Sequence, residues 1–244
     1  MATIRPEIGP NRTGIASDAT SKKLSEEMVE ATQEFPPNPD GDERYIAEVR
    51  AEIAREVDGV GSVPPPPTLK GIAKAAAQKL RAESPALFID KLGERLVFER
   101  SGVRVYEALL SKLDAYGEFD GGPERADLVH ILSEEYEHYR ALEEALEDLG
   151  ADPTALTPSA NLTATMASGI VAVILDARTT LAQSLEALLL LELADNDCWE
   201  SLVELARGAG QDRLVETFER ALQAERDHLL NVREWIAAAQ GRAN

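Results

Sequence analysis

"LVHILSEEYEHYRALEEALEDLG", residues 128–150, carries apolar residues at helical steps: Leu128, Ile131, Leu142, Ala145 and Leu149. Glu135 and His138 interrupt that stripe at mid-length. Residues three and four apart share a helix face, so acid and imidazole lie on the face that should meet a core. "AERDHLLNVREW", residues 224–235, repeats the arrangement, with Glu225 and His228 followed by Val232 and Trp235. The chain has 44 acidic residues but only three histidines, and two of the three hold this spacing.

Outward from these stretches, the periodicity predicts four long helices over about 86–115, 123–150, 178–207 and 211–239. A short apolar segment, 161–175, lies between the second and third. Pro123 suits the first turn of the second helix and Gly150 its C-cap. No region sustains strand alternation, and abundant Leu, Ala and Glu favour helix. The expected class is all-α. One long link between two tight ones is the connectivity of a four-helix bundle with a single long crossover, over residues 86–240. Residues 1–85 read as a helical N-terminal extension: a disordered start through residue 20, short helices at 21–34, 42–58 and 68–82, and a stiff linker at Pro64–Pro67.

The other two long helices complete the pattern. The first reads Leu92, Leu96, Glu99, Val103, Tyr106; the third reads Leu185, Leu188, Glu192, Asp195, Trp199. Each stripe is broken near its middle by a glutamate. A carboxylate in a core must be protonated, paired or metal-bound. Four at one level repel unless cations neutralise them, and two divalent ions balance four glutamates. With two neutral imidazoles the donors suit iron or manganese. The candidate metal ligands are therefore Glu99, Glu135, His138, Glu192, Glu225 and His228, with Asp195 as an additional group beside them. Glu134 could also reach His138, but its counterpart in the fourth helix is Ala224, so Glu135 is preferred. Glu107 and Glu200 lie on charged, solvated faces. Tyr106 and Trp199 read first as core aromatics, at positions where they could also hydrogen-bond a ligand or give up an electron. His130 lies on no ligand face. The chain repeats itself: "ERSGVRVYEALLSKL" from Glu99 aligns with "ELADNDCWESLVELA" from Glu192, so two hairpins should face each other about a pseudo-twofold axis.

A net charge of −19 argues against nucleic acid as a partner and suits attraction of metal cations. The single cysteine, Cys198, excludes internal disulfides and a four-cysteine metal site, and reads as a small buried apolar residue. The N-terminus lacks an apolar signal core. The uncharged stretch 153–175 is rich in Thr, Ser and Ala, a poor membrane span and better read as a buried helix. A cytoplasmic protein without a membrane partner is expected.

With these residues in view, 86–240 resembles the ferritin-like superfamily of di-metal carboxylate proteins, closest in pattern to ferritin, bacterioferritin and rubrerythrin. Glu99, Glu135 with His138, Glu192, and Glu225 with His228 match its six-ligand pattern in order. The resemblance implies that Glu135 and Glu225 bridge two metals while Glu99 and Glu192 are terminal. Tyr106 matches a tyrosine that commonly lies beside the metals. It further implies a non-haem di-iron oxidoreductase holding two Fe ions, with Mn as the alternative. Such a protein reacts with O2 or peroxide as a ferroxidase or peroxidase, draws on an electron donor, and forms a homo-oligomer. Iron storage, di-manganese catalase-like chemistry and a di-iron oxygenase acting on an organic substrate use nearly the same ligands. Two features depart from the family. One cysteine cannot supply the rubredoxin-like module usual in rubrerythrins, and ferritins normally lack an extension such as residues 1–85.

Overall fold

The computed structural model describes residues 19–34, 43–67, 71 and 85–241, and every regular element among them is a helix. The described residues fall into two compact units, one up to Gly59 and one from Val60 onward. The first unit holds α1 (Ala19–Glu34) and α2 (Glu43–Glu56), and α2 buries no residue. The disorder expected at the start and the helix expected over 68–82 fall outside the described residues, apart from residues 19–20 and Gly71. Pro64–Pro67 forms no helix, as four consecutive prolines require.

The second unit contains α3 (Pro85–Tyr116), α4 (Arg125–Leu149), α5 (Pro158–Leu175), α6 (Leu181–Gly208) and α7 (Asp212–Ala239). Helix α3 packs on α4 and α6, and α7 packs on α6 and α4, closing a ring of four long helices. Their directions follow from two apolar clusters. One gathers Val105, Leu109 and Leu113 of α3, Leu128 and Ile131 of α4, Leu185 and Leu188 of α6, and Val232 and Ile236 of α7. The other takes Leu92 and Leu96 of α3, Leu142 and Leu146 of α4, Leu202 and Val203 of α6, and Phe218 and Leu222 of α7. Thus α3 and α7 run from the second cluster to the first, α4 and α6 run the opposite way, and ring neighbours are antiparallel.

Local chemistry sets the helix ends. Glu124 caps α4, its backbone N–H donating to Asp127 Oδ2 at 2.9 Å. This displaces the expected start: Pro123 precedes the cap instead of opening the first turn. Gly150 ends α4 with φ of 79°, a left-handed conformation glycine adopts without cost. Thr180 and Gln183 form a reciprocal capping box at the start of α6, at 3.2 and 2.9 Å.

Because α4 and α6 run in the same direction, the chain must return the length of the ring between them, and α5 makes that crossing against α3 and α6. Both of its ends are tied to α3. Asp90 accepts from Ser159 N at 2.9 Å and Ser159 Oγ at 2.7 Å. Lys112 Nζ donates to the carbonyls of Asp176 and Thr179 at 2.8 and 2.7 Å. Contrary to the expectation of a buried helix, α5 buries only Ala160, Thr163, Ala167 and Ile174, while Leu162, Met166 and Leu175 are exposed. The cause is position: α5 lies outside the ring and touches it along one narrow side. By length and composition it is also the one helix among the described residues apolar enough to cross a membrane.

A buried carboxylate–histidine centre

The two apolar clusters are separated by a polar layer at the middle of the ring. Glu99, Glu135, Glu192, Asp195 and Glu225 are fully buried there, with His228 and His138 almost so. All six candidate ligands named from the sequence meet in this layer, together with Asp195. Glu107 and Glu200 are exposed, as expected of a solvated face.

Two donor groups form, each with ligand atoms within 4.8 Å of one another: Glu99, His138 and Glu225 in one, and Glu135, Glu192 and His228 in the other. Glu99, Glu135, Asp195 and Glu225 form a third group of the same compactness. His138 Nδ1 stands 2.7 Å from Glu225 Oε1 and 3.7 Å from Glu99 Oε2. His228 Nδ1 stands 3.2 Å from Glu225 Oε2 and 3.7 Å from Glu135 Oε1. Neither His138 Nδ1 nor Glu225 Oε1 has a hydrogen-bond partner. They converge as two ligands do on a common point.

The remaining oxygens are sorted by their neighbours. Glu99 Oε1 accepts from Trp199 Nε1 at 2.9 Å and from the Arg95 guanidinium, leaving Oε2 unpartnered. Glu192 Oε1 accepts from the Tyr106 hydroxyl at 2.5 Å, again leaving Oε2 unpartnered. Both oxygens of Glu135 are unpartnered. Among the described residues, every buried side-chain nitrogen or oxygen lacking a hydrogen-bond partner belongs to this layer or to Arg95, whose Nε and Nη1 are unpartnered. Such orphaned groups cost about 1–3 kcal/mol each, more when charged. Concentrated in one place, with inward-facing carboxylate oxygens and imidazole nitrogens, they fit a metal ion: these groups could hold one.

The proton affinities point the same way. Burial pushes the Glu135 carboxyl well above its ordinary range, and Glu225 and Glu99 add to it. Burial, then Glu225, pushes Glu192 up to about 8 against the pull of His228 and Tyr106. Burial by itself would lower both histidines, but adjacent carboxylates outweigh it, taking His138 to about 10 and His228 to about 9. Glu225 is opposed by burial yet is brought down to about 2 by the two histidines. The layer therefore holds protons at neutral pH that a cation would displace.

Four residues around the layer were not legible as part of it, or only partly. Arg95 is 2% exposed and bridges Glu99 and Asp195, which hold it protonated despite burial. Its signal was available, since Leu92, Arg95 and Glu99 continue one helical stripe. Trp199 and Tyr106, read first as core aromatics, donate to Glu99 and Glu192 respectively. Glu134, set aside as a ligand, accepts from His228 Nε2 at 2.9 Å. His130, 74% exposed, approaches that same Glu134 oxygen at 3.6 Å. Cys198, expected to be buried, is half-buried and has no place in the layer. No family model, curated protein or solved structure matches the chain.

Proposed function

We propose that this chain is a non-haem di-iron protein of the ferritin-like kind, built as a four-helix bundle, which reacts with O2 or peroxide as a ferroxidase or peroxidase. One observation carries the reading. Both oxygens of Glu135 are buried and unpartnered, and Glu135 belongs both to the group with Glu192 and His228 and to the group with Glu99, Asp195 and Glu225. That is what a carboxylate shared by two ions requires. Four glutamates offset two divalent cations, and Arg95 offsets Asp195, so the layer closes near neutrality. The antiparallel ring with its α5 crossover supports the architecture.

Two irons, when bound, supply electrons and Lewis acidity toward an oxygen substrate. The protein's own residues do the rest. Trp199 and Arg95 restrain one oxygen of Glu99, and Tyr106 restrains one oxygen of Glu192, so each presents the other inward. Glu134 holds the His228 ring with Nδ1 facing the layer. The flanking apolar clusters exclude bulk water. A cytoplasmic homo-oligomer completes the reading: the outer face of α5 exposes Leu162, Met166 and Leu175 and carries no formal charge, a surface two chains of net charge −19 can bring together.

The test is metal analysis after anaerobic reconstitution, beside the Glu135→Ala, His138→Ala double variant, followed by an O2 pulse. Close to two irons per chain, lost in the variant, with rapid oxidation, is the expected result. Retention of manganese instead moves the chemistry to a di-manganese centre, and no specific metal in the wild type defeats the proposal.

A further inference from the structure

The six inward donors repeat between the two hairpins, but their surroundings do not. Aligning Glu99 with Glu192 places Arg95 opposite Leu188, Gly102 opposite Asp195, and Tyr106 opposite Trp199. Aligning Glu135 with Glu225 places Glu134 opposite Ala224. Two of these differences, Arg95 and Glu134, carry one sign, while Asp195 shares the Arg95 guanidinium with Glu99. On the side of Glu99 and His138, a buried guanidinium and an indole N–H both draw on Glu99 Oε1. The His138 ring meets the edge of Trp199 there, with centroids 5.6 Å apart, and position 224 offers it no carboxylate. On the side of Glu192 and His228, one neutral hydroxyl draws on Glu192. A carboxylate, Glu134, accepts from the outward nitrogen of His228 at 2.9 Å.

A carboxylate behind a ligating imidazole fixes its tautomer and raises its basicity, and removing such a partner typically costs about 10–100-fold in metal affinity. A cation bonded to a ligating carboxylate acts the other way, holding electron density away from the metal. From these contacts, and resting on the di-metal reading above, we infer that the two half-sites are inequivalent: the Glu192–His228 half binds its ion first and tightly, and the Glu99–His138 half binds second and exchangeably. Glu134 and Arg95 are the positioning residues that create the difference. The centre is thereby suited to keeping one resident ion while passing the other.

Repulsion between two divalent ions would split even identical sites into two steps. A stepwise isotherm is therefore insufficient, and the test lies in which residue moves which step. The measurement is anaerobic calorimetric titration with Co2+, with the ligand-field absorption of Co2+ followed in parallel. Glu134→Gln should weaken the first step by roughly 10–100-fold and leave the second unchanged. His138→Ala should abolish the second step and keep the first, whereas His228→Ala should leave only a weak one. Ala224→Glu, which gives His138 the partner it lacks, should tighten the second step, a gain that damage to the fold cannot imitate. The inference is overturned if Glu134→Gln moves both steps equally or only the second, or if His138→Ala removes the tight step. Wild-type protein that takes up no Co2+ defeats the di-metal reading itself, and this inference with it.

Discussion

Gly102 of α3 lies directly against the carboxylate of Glu135 of α4. A β-carbon at residue 102 would stand 2.9 Å from Glu135 Cδ and closer still to Oε2. The absent side chain is what lets the Glu135 carboxylate enter the layer. Gly102→Ala should relieve a helix-interior glycine, worth up to about 1 kcal/mol in helix propensity, while forcing the flexible end of Glu135 aside. We expect thermal stability within a few degrees of wild type but metal affinity reduced by at least about tenfold. Unchanged affinity by calorimetry would show that the carboxylate has room elsewhere.

Trp199→Phe keeps an aromatic ring in the apolar cluster and deletes one N–H donor to Glu99 Oε1. A hydrogen bond to a charged acceptor contributes about 1.5–3 kcal/mol. Because Arg95 still binds the same oxygen, the loss expected in urea denaturation is at the lower end, near 1.5 kcal/mol. A change below a few tenths would mean that the indole contact contributes packing alone.

Arg95→Met should be far more damaging, since it strands Asp195 in the buried layer and leaves Glu99 Oε1 with Trp199 alone. Breaking a buried pair from one side costs about 3–5 kcal/mol, whereas replacing both partners with apolar residues is often neutral. Arg95→Met with Asp195→Leu should accordingly recover most of that loss, because Glu99 keeps its bond from Trp199. Denaturant midpoints of the two variants decide it. A double variant no more stable than the single would place the cost in packing against Phe98 and Trp199, whose rings lie 4.6 and 5.4 Å from the guanidinium carbon.

Metal-free protein should lose stability as pH rises. Glu192 ionises near 4.5 when unfolded and at about 8 when folded. The histidines move from 6.5 to about 10 and about 9. The native chain therefore binds more protons than the unfolded chain between roughly pH 5 and 9. Stability falls through that window, by up to about 1.4 kcal/mol per pH unit for each unmatched proton. Glu225, held near 2, contributes in the opposite sense, losing its effect only as pH falls from 4.5 toward 2. Chelator-treated protein should melt lower at pH 9 than at pH 6, and added metal should stabilise more at pH 8 than at pH 6 because ligands must shed protons to bind. A melting temperature that climbs with pH in chelator would contradict the proton-laden layer.

How much of this was readable in the chain depends on the range of the physics involved. The all-helical class, the order of the long helices and the inward position of Glu99, Glu135, His138, Glu192, Glu225 and His228 are set by local sequence. Helical periodicity and Glu-x-x-His spacing act within one or two turns. Errors came where a local rule had two outcomes. Pro123 could open a helix or precede its cap, and the reciprocal bond between Glu124 and Asp127 chose the latter. An uncharged segment could be core or cover, and α5 became cover because the ring already filled the core. Tertiary structure alone decided which oxygen each neighbour engages. Trp199 meets Glu99 across 100 residues and Glu134 meets His228 across 94, contacts fixed by how far each helix is rotated and shifted against the next. That rotation and register determine that Gly102 makes room for Glu135, that Arg95 turns to Glu99 and Asp195, and that a repeated set of six donors sits in unequal surroundings.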